Sequence, residues 1–175
     1  TINASTTGIN SAPNVLYVAK DGIDSNNGTS IDNAKLTIKA AVDVANAGTV
    51  IKILAGDYTE DNPITLPEQV SITGDNLRGV SITPSNNADL FYVTNGNYIS
   101  DISFVGSSNT NAMVAFSPSH AGNITQSPYI QNCTNFVPNS IGMKIDGSLA
   151  SGNIKSMVVD SYTQYNQGGI GVSIT

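Results

Sequence analysis

The chain has 175 residues and a formal net charge of −6, with 21 Asn, 20 Ser and 16 Thr but only 11% charged residues. The negative charge argues against nucleic-acid binding, which requires Lys and Arg to neutralise phosphate, and no apolar stretch approaches the roughly 20 residues that span a bilayer. The 39% hydrophobic content is enough for a folded core.

The first part of the chain predicts a linker, a strand and a loop. Residues 1–14, TINASTTGINSAPN, are polar and interrupted by Pro and Gly, so we expect a linker-like segment that leads into one domain over residues 15–175. LYVAKDG (16–22) predicts the first strand of that domain. The loop that follows, DGIDSNNGTSIDN, is dense in Asp, Asn and Gly.

One helix is predicted, over residues 34–47, and Gly48 follows at the position of a C-terminal cap. The apolar residues that recur at helical spacing are Leu36, Ala40, Val44 and Ala47. Together with the preceding strand, this helix forms an expected N-terminal cap over about residues 15–48.

A second strand is predicted directly after the helix. The run Val50–Leu54 is too short for a helix and is rich in β-branched residues. GDYTE at 56–60 is interpreted as the exit turn of this strand. No further helix is predicted, because short apolar runs then alternate with Asn, Gly and Ser turns, which is the pattern of an all-β fold.

The predicted strands recur with a period of roughly 30 residues. One set centres on Ile72, Ile102, Cys133 and Tyr162. A second, less regular set centres on Tyr92, Ile145 and Ile174, with MVAF at 113–116 falling between its members. Two staggered series predict a right-handed parallel β-helix, in which each strand pairs with its equivalent one repeat away, about 4.8 Å along the axis.

Both ends of a parallel β-helix must be covered. We expect the predicted helix to cover the N-terminal end. No equivalent cap closes GIGVSIT at the other end, so we expect that end to need more chain or a partner, and the domain to be truncated there.

The segment LYVAKDGIDSNNGTSIDNAKLTIKAAVDVANAGTVIKILAGDYTED is similar to the N-terminal portion of many pectin-lyase-like β-helix proteins. Their pattern is a strand, a loop of the form Gly-x-Asp-x-Asn-x-Gly-Thr, a helix, a strand and then Gly-x-Tyr-x-Glu. VSITGDNLRGVSIT and NYISDISFVG resemble the next two repeats, so the resemblance covers roughly residues 15–106.

The later segments YIQNCTNF and GMKIDGSLASGNIKSMVVDSYTQYNQGGIGVSIT resemble virion proteins of tailed phages, those of cyanophages in particular. The resemblance implies a non-enzymatic structural component of the virion, namely a tail-fibre-like, baseplate-associated or decoration protein. Whether this protein contacts the host surface is left open by the resemblance. It also implies that the chain assembles with itself, as a trimer in many phage fibres, and with other virion proteins.

Two alternatives remain open at this stage. A phage tail-spike depolymerase or lyase shares the fold and would need further repeats to supply its acids and base. A bacterial cell-surface adhesin shares the N-terminal pattern and would be extracellular. Under either phage hypothesis the expected partners are other copies of the chain and other virion proteins. A host-surface glycan is left open as a further partner, and neither nucleic-acid binding nor membrane insertion is expected.

The titratable residues give little support to an enzyme, and we expect no catalytic residue. Two-carboxylate chemistry requires acids on neighbouring repeats that face one groove, and the only adjacent acidic pair is Glu60-Asp61. Arg78 is expected in a turn without partners, and His120 in a solvated loop. Asp101 and Asp160 occupy matched places in two repeats, with Asp75 nearby. Because they have no base or metal neighbour in the sequence, we expect them to be turn-capping carboxylates at strand ends rather than catalytic acids.

No metal or other cofactor is expected. Asp21, Asp24 and Asn26 could offer oxygen ligands to calcium, but they lack the EF-hand pattern and an Asx-turn loop is favoured. Cys133 is expected to be a buried, small apolar side chain.

The surfaces expected to make contacts are the loops at 106–128 and 146–156, which are rich in Asn and Ser. Three tyrosines, Tyr129, Tyr162 and Tyr165, could stack on sugar rings, although a tyrosine in a β-helix more often lies at a core edge or in a stacked ladder.

Overall fold

A computed structural model describes residues 14–120, 122–146 and 154–175, so all but the last residue of the expected linker at 1–14 lies outside the described residues. The described chain is almost entirely β, with parallel strands in curled sheets and one short α-helix, α1, at Ile38–Val42. A 3-10 turn at Ile31–Asn33 precedes the helix. The strands are β1 Val15–Val18, β2 Val50–Ile53, β3 Gly56–Glu60, β4 Ile64–Thr65, β5 Ser71–Gly74, β6 Val80–Pro84, β7 Phe91–Val93, β8 Tyr98–Ser100, β9 Ser103–Phe104, β10 Ala112–Phe116, β11 Tyr129–Asn135, β12 Ile141–Ile145, β13 Val158–Gln164 and β14 Ile170–Ile174.

The strand predicted at Val50–Leu54 is confirmed as β2, but the exit turn predicted at 56–60 is wrong. Those residues form β3, in which Tyr58 and Glu60 are buried and Asp57 and Thr59 are exposed. The Gly56-Asp57 pair suggested a turn. The alternation of buried and exposed side chains, together with the large aromatic ring of Tyr58, instead favours a strand. The Tyr58 hydroxyl donates to the Leu54 carbonyl oxygen at 2.8 Å and so closes the short corner before β3.

The helix is confirmed in place but is much shorter than the predicted 34–47. It begins after Thr37, whose hydroxyl accepts a hydrogen bond from the Ala40 amide at 3.1 Å. The predicted buried face is also wrong, because Leu36 is 36% and Val44 50% exposed. The buried side chains of the helix are Ile38, Ala41 and Val42, and the helix packs against β1, β2 and β4.

Every strand pair is parallel, and the strands fall into three series. The first series contains β1, β2, β5, β8 and the first halves of β11 and β13. The second contains β3, β6, β9 and the second halves of β11 and β13. The third is the separate five-stranded sheet, β4, β7, β10, β12 and β14.

The predicted repeat is confirmed in its later half and wrong in its earlier half. Cys133 pairs with Tyr162, and Ile145 with Ile174, as expected. Ile72, however, pairs with Ile99 rather than Ile102. Tyr92 pairs with Ala115 of β10, which belongs to the MVAF segment that falls between Tyr92 and Ile145 in the sequence. Hydrogen-bonded side chains on neighbouring repeats are separated by 24, 27, 31 and 29 residues at different places, because the connecting loops differ in length.

The core lies between the sheets, and one column of it runs through successive repeats. Ile51, Ile72, Ile99 and Ile130 are consecutive register partners in the first series and are all fully buried. Successive side chains of a strand point to opposite faces of the sheet, and in β2 and β5 one face is buried while the other is partly exposed. The isoleucines on the buried face therefore stack into this column. No helix in the described part of the chain is long and apolar enough to cross a membrane.

The corner between the first and second series uses left-handed backbone. Asp101, Asn132 and Ser161 have φ of 59°, 50° and 53°, and each lies between residues paired across neighbouring repeats. Asp and Asn tolerate this conformation better than most residues. The Asn132 side-chain amide donates to the Asp101 carboxylate at 2.6 Å, so the corner residues also hold one repeat to the next.

We predict that Ile99→Ala lowers the free energy of unfolding by about 2–5 kcal/mol, because it leaves a cavity in the middle of the isoleucine column. The measurement is urea denaturation followed by circular dichroism. The matched control is Ile23→Ala, since Ile23 is 59% exposed, and this variant should change stability by less than about 0.5 kcal/mol. Equal losses in the two variants would contradict the assigned core.

The register of the earlier repeats gives a second prediction. Thr73 and Ser100 are register partners with their hydroxyl oxygens 3.1 Å apart, so the pair Thr73→Cys and Ser100→Cys should form a disulfide under mild oxidation. The control pair, Thr73→Cys with Ser103→Cys, follows the register expected from the sequence and should stay reduced. Non-reducing electrophoresis and peptide mass spectrometry read out both pairs, and a reversed result would refute the observed register.

Candidate functional site

A groove of about 670 Å³ lies on the outer face of the second strand series. Its floor is a ladder of hydroxyl side chains from successive repeats: Ser81, Ser103, Thr134 and Thr163. They stack because Ser81 pairs with Ser103, Thr134 with Ser103, and Thr134 with Thr163 in the parallel register. Neighbouring residues Ile82 and Phe104 face the core, which leaves the hydroxyl positions on the outer face.

Apolar side chains form one wall of this groove. Val105, Phe136 and Tyr165 each follow the last residue of a second-series strand, so they also stack from repeat to repeat. The rings of Phe136 and Tyr165 meet edge to face, with centroids 5.9 Å apart. Phe136 is 41% and Tyr165 73% exposed, so both rings are accessible to a ligand.

The loop between β5 and β6 also lines the groove, through Leu77 and Arg78. The Ser103 hydroxyl donates to the Leu77 carbonyl oxygen at 2.6 Å and fixes this loop against the floor. Arg78 is exposed, and within the described ranges its guanidinium has no hydrogen-bond or ion-pair partner. An unpaired guanidinium, two accessible aromatic rings and a row of hydroxyl side chains therefore line the same groove.

The hydroxyls of the floor differ in their availability. The Ser81 hydroxyl donates to the Asp57 carboxylate, and the Ser103 hydroxyl donates to the Leu77 carbonyl oxygen in the β5–β6 loop. Among the residues that the structure describes, the side-chain hydroxyls of Thr134 and Thr163 have no partner. Thr134 is only 8% exposed, whereas Thr163 is exposed, so the Thr163 hydroxyl is the one available as donor and acceptor at the surface.

The structure separates the carboxylates considered as catalytic candidates. Asp75 forms an ion pair with Lys52 at 3.2 Å. Asp160 pairs in register with Gln131, whose amide donates to it at 3.0 Å. The matched placement expected for Asp101 and Asp160 is wrong by one residue, because Ser161 occupies the position equivalent to Asp101.

The loop considered for calcium is held by hydrogen bonds from its own chain. The Asp24 carboxylate accepts from the amides of Leu36 and Thr37 at 3.0 and 2.8 Å. The Lys35 ammonium, nearly buried, donates to the carbonyl oxygens of Asp24 and Asn26 at 2.9 and 2.8 Å. The lysine thus lies where a cation would be bound. In the described ranges no group of three or more His, Cys, Asp or Glu could hold a metal ion.

Glu60 binds the N-terminal turn of α1 from the end of β3. Its carboxylate oxygens accept hydrogen bonds from the amides of Ile38 and Lys39 at 2.8 and 3.0 Å. Burial raises the pKa of Glu60 above its ordinary value, and the two amide hydrogen bonds oppose that shift without cancelling it. Its neighbour Asp61 forms an exposed ion pair with Lys39 at 3.5 Å, so the acidic pair supports the helix.

His120 and Cys133 lie away from the groove. The His120 carbonyl oxygen accepts from Lys155 at 3.1 Å, and its Nε2 atom is buried without a partner in the described chain. Cys133 is 1% exposed, as expected, and burial raises the pKa of its thiol to about 12.

The three tyrosines expected at a sugar surface have different roles. Tyr165 lines the groove. Tyr129 stacks on Tyr98, with ring centroids 5.8 Å apart. Tyr162 packs against the core, donates its hydroxyl to Gln164, and has a raised pKa because it is desolvated. Of the two expected contact loops, residues 147–153 of the second lie outside the described residues, as does residue 121 of the first.

Sequence reasoning did not identify the groove as a site, although it had named Tyr165 and Arg78 separately. The available signal was the recurrence of Ser or Thr at the outward position in GVSIT, ISF, CTNF and YTQY. The second strand series was missed, so these hydroxyls and Phe136 could not be aligned.

Comparisons of the chain with protein-family models, with curated proteins and with solved structures found no match. The resemblance to pectin-lyase-like and phage proteins therefore depends on the quoted residues alone. The described residues that line the groove supply a guanidinium, hydroxyls and aromatic rings, and the Asp57 carboxylate is bonded to one of these hydroxyls, that of Ser81.

The raised pKa of Glu60 gives a prediction about pH. Because the folded chain holds this proton more tightly than the unfolded chain, Glu60 contributes stability that is fully present below the ordinary pKa of 4.5 and is lost as the pH rises through the raised value. The free energy of unfolding of the wild type minus that of Glu60→Gln should therefore increase when the pH falls from 7 to 4.

Urea denaturation of both proteins at several pH values between 7 and 4 measures this difference directly. Asp61→Asn, a change at the neighbouring exposed carboxylate, serves as the control. A difference between wild type and Glu60→Gln that stays constant or shrinks on acidification would contradict the desolvation of Glu60.

Proposed function

We propose that the chain folds as a right-handed parallel β-helix. The support is that all strands pair in parallel and that each of the three series pairs a strand with its equivalent in the next repeat. A path that visits three strand positions in fixed order and returns beside its starting point is a coil. Crossovers between parallel strands are right-handed in nearly all proteins, which favours that hand.

We further propose that the protein is a non-enzymatic structural component of a tailed-phage virion, in a tail fibre, a baseplate or a decoration. The observation that carries this proposal is the use of the candidate acidic residues within the fold. Asp24, Glu60 and Asp101 accept hydrogen bonds that hold loops, the helix and the corner. Together with the phage-like segments of the sequence, this favours a stiff scaffold over a depolymerase.

The proposed assembly with other chains is supported by the outermost strands β13 and β14, each of which pairs on one side only in the described chain. β14 exposes Ile170, Val172 and Ile174, at 51%, 47% and 74%. An unpaired strand edge with exposed apolar side chains requires a cover. Further repeats, a second copy of the chain in a homo-oligomer such as a trimer, or another virion protein would each supply one.

The experiment that tests the virion proposal is immunogold electron microscopy of purified phage particles with an antibody raised against this chain. We expect gold at one defined structure of the tail or capsid. Label at fibre tips would place the protein at the host contact, and label at the baseplate or neck would make it an architectural subunit. An antibody that recognises the purified protein but labels no particle would overturn the phage proposal and favour the adhesin.

A further inference from the structure

We propose that two copies of the chain form an antiparallel dimer through the outer face of the first strand series, with a two-fold axis that runs along the strands. This surface is separate from the open edge of β13 and β14. The dimer goes beyond the virion component proposed above and does not depend on where the chain lies on a particle. It is carried by the order of the side chains on this face, which is complementary to its own reverse.

The outer face of the first series is partly open to solvent. In β1, β2 and β5 the inward positions are buried and the outward positions are partly exposed. The parallel register stacks the outward side chains into two columns. The valine–tyrosine column contains Val15, Val50, Ser71, Tyr98, Tyr129 and Val158. The polar column contains Tyr17, Lys52, Thr73, Ser100, Gln131 and Asp160.

The two charges of this face lie far apart in the polar column. Lys52 on β2 and Asp160 on β13 are the only charged residues of the two columns, and they are four strands apart, which is roughly 19 Å at about 4.8 Å per strand. A second copy in reversed order places β8 opposite β8, β5 opposite β11 and β2 opposite β13. Lys52 of each copy then lies opposite Asp160 of the other, and the dimer contains this contact twice.

Lys52 keeps a donor for this contact. Its ammonium binds the Asp75 carboxylate at 3.2 Å and the Gly74 carbonyl oxygen at 3.4 Å. An ammonium group has three N–H donors, so one of them is left for the Asp160 carboxylate of a second copy.

The valine–tyrosine column gives the same centre of symmetry. With β8 opposite β8, Tyr98 meets Tyr98 of the other copy, the large Tyr129 lies opposite the small Ser71, and Val158 lies opposite Val50. Tyr98 and Tyr129 already stack on each other, with ring centroids 5.8 Å apart. Large side chains therefore meet small ones and apolar side chains meet apolar ones, which an interface related by a two-fold axis requires of a single surface.

The polar column can be covered at low cost. The hydroxyl oxygens of Thr73 and Ser100 are 3.1 Å apart, the Tyr98 hydroxyl donates to the Gln131 side chain, and the Gln131 amide donates to Asp160 at 3.0 Å. Burial of a polar group is costly chiefly when it loses its hydrogen bonds. These groups keep theirs when a second copy covers them.

A parallel arrangement fits this face less well. A two-fold axis along the coil would place each strand opposite its own copy and each column opposite the other column. Lys52 would then meet Val50, and Asp160 would meet Val158, so both charges would be covered by apolar side chains without a counter-charge. The antiparallel dimer is therefore the one that this face favours.

The test is sedimentation equilibrium of the chain from about 1 µM to about 100 µM, because a face of five short strands corresponds to a small interface with affinity in that range. We expect a monomer–dimer equilibrium. Lys52→Glu and Asp160→Lys should each weaken the dimer about tenfold or more, because like charges then meet at both symmetric contacts. An equimolar mixture of the two variants should restore the dimer, because each contact then joins opposite charges.

Lys144→Glu is the matched control, because it reverses a charge on β12 of the five-stranded sheet and should leave the dimer unchanged. Circular dichroism checks that each variant folds, and restoration by mixing requires that both do. A monomer at every concentration, a trimer, or a mixture that dissociates like the single variants would overturn the proposal. A dimer that neither single variant weakens would also overturn it and would assign self-association to the open edge of β13 and β14.

The opposed strands are tested by thiol cross-linking with a short bismaleimide. A mixture of Val50→Cys and Val158→Cys should cross-link into a dimer, whereas either variant alone should not, because the two copies of one position are roughly 19 Å apart along the coil. Cys133 is 1% exposed and should not react. Efficient cross-linking of Val158→Cys with itself would contradict the antiparallel order and indicate contact through the open edge.

These outcomes are independent of the virion experiment. Sedimentation and cross-linking report on the isolated chain, whereas immunogold labelling reports its place on a particle. A dimer with the expected charge pairing that labels no virion would retain the interface and refute the phage setting alone.

Discussion

The structure depends on one constraint, the parallel register between successive repeats. Because each strand pairs with its equivalent in the next repeat, a side chain that faces inward has an inward-facing partner above and below it. The column Leu16, Ile51, Ile72, Ile99 and Ile130 is the clearest case. A shift of one residue in any repeat would turn that column outward and its polar neighbours inward, so the register and the core are fixed together.

The same constraint explains why asparagine is abundant. Asn62 and Asn97 are buried, and their side-chain amides donate to carbonyl oxygens of loops in neighbouring repeats. Loops that leave and re-enter a stacked sheet carry backbone groups without strand partners, and these must be satisfied when they are buried. Asparagine satisfies them without introducing charge, which is why a folded core coexists with a polar, weakly charged composition.

The candidate groove is a consequence of this stacking on the outer face. Ser and Thr side chains at one outward position of the second-series strands form the ladder of the groove floor. The residues that directly follow these strands form its apolar wall. Two features of the described groove are not part of the hydroxyl ladder: the β5–β6 loop that carries Arg78, and the aromatic residues Phe136 and Tyr165. Departures of this kind, on a rigid scaffold, are where binding specificity is usually located.

The sequence by itself determined the all-β class, the place of the helix, the strand at β2 and the pairing of the last repeats, because the alternation of apolar and polar residues and the turn residues are local signals. It also located Tyr165 and Arg78, but as isolated residues. Helix length, the strand at β3 and the earlier register were decided by tertiary structure. One physical reason is that Tyr58, Glu60 and Thr37 make hydrogen bonds with segments distant in the sequence. The other is that the loops differ in length, so the strands that pair are not separated by a constant number of residues. The groove joins residues from Leu77 to Tyr165, and only the register of the stacked strands brings those residues to one surface.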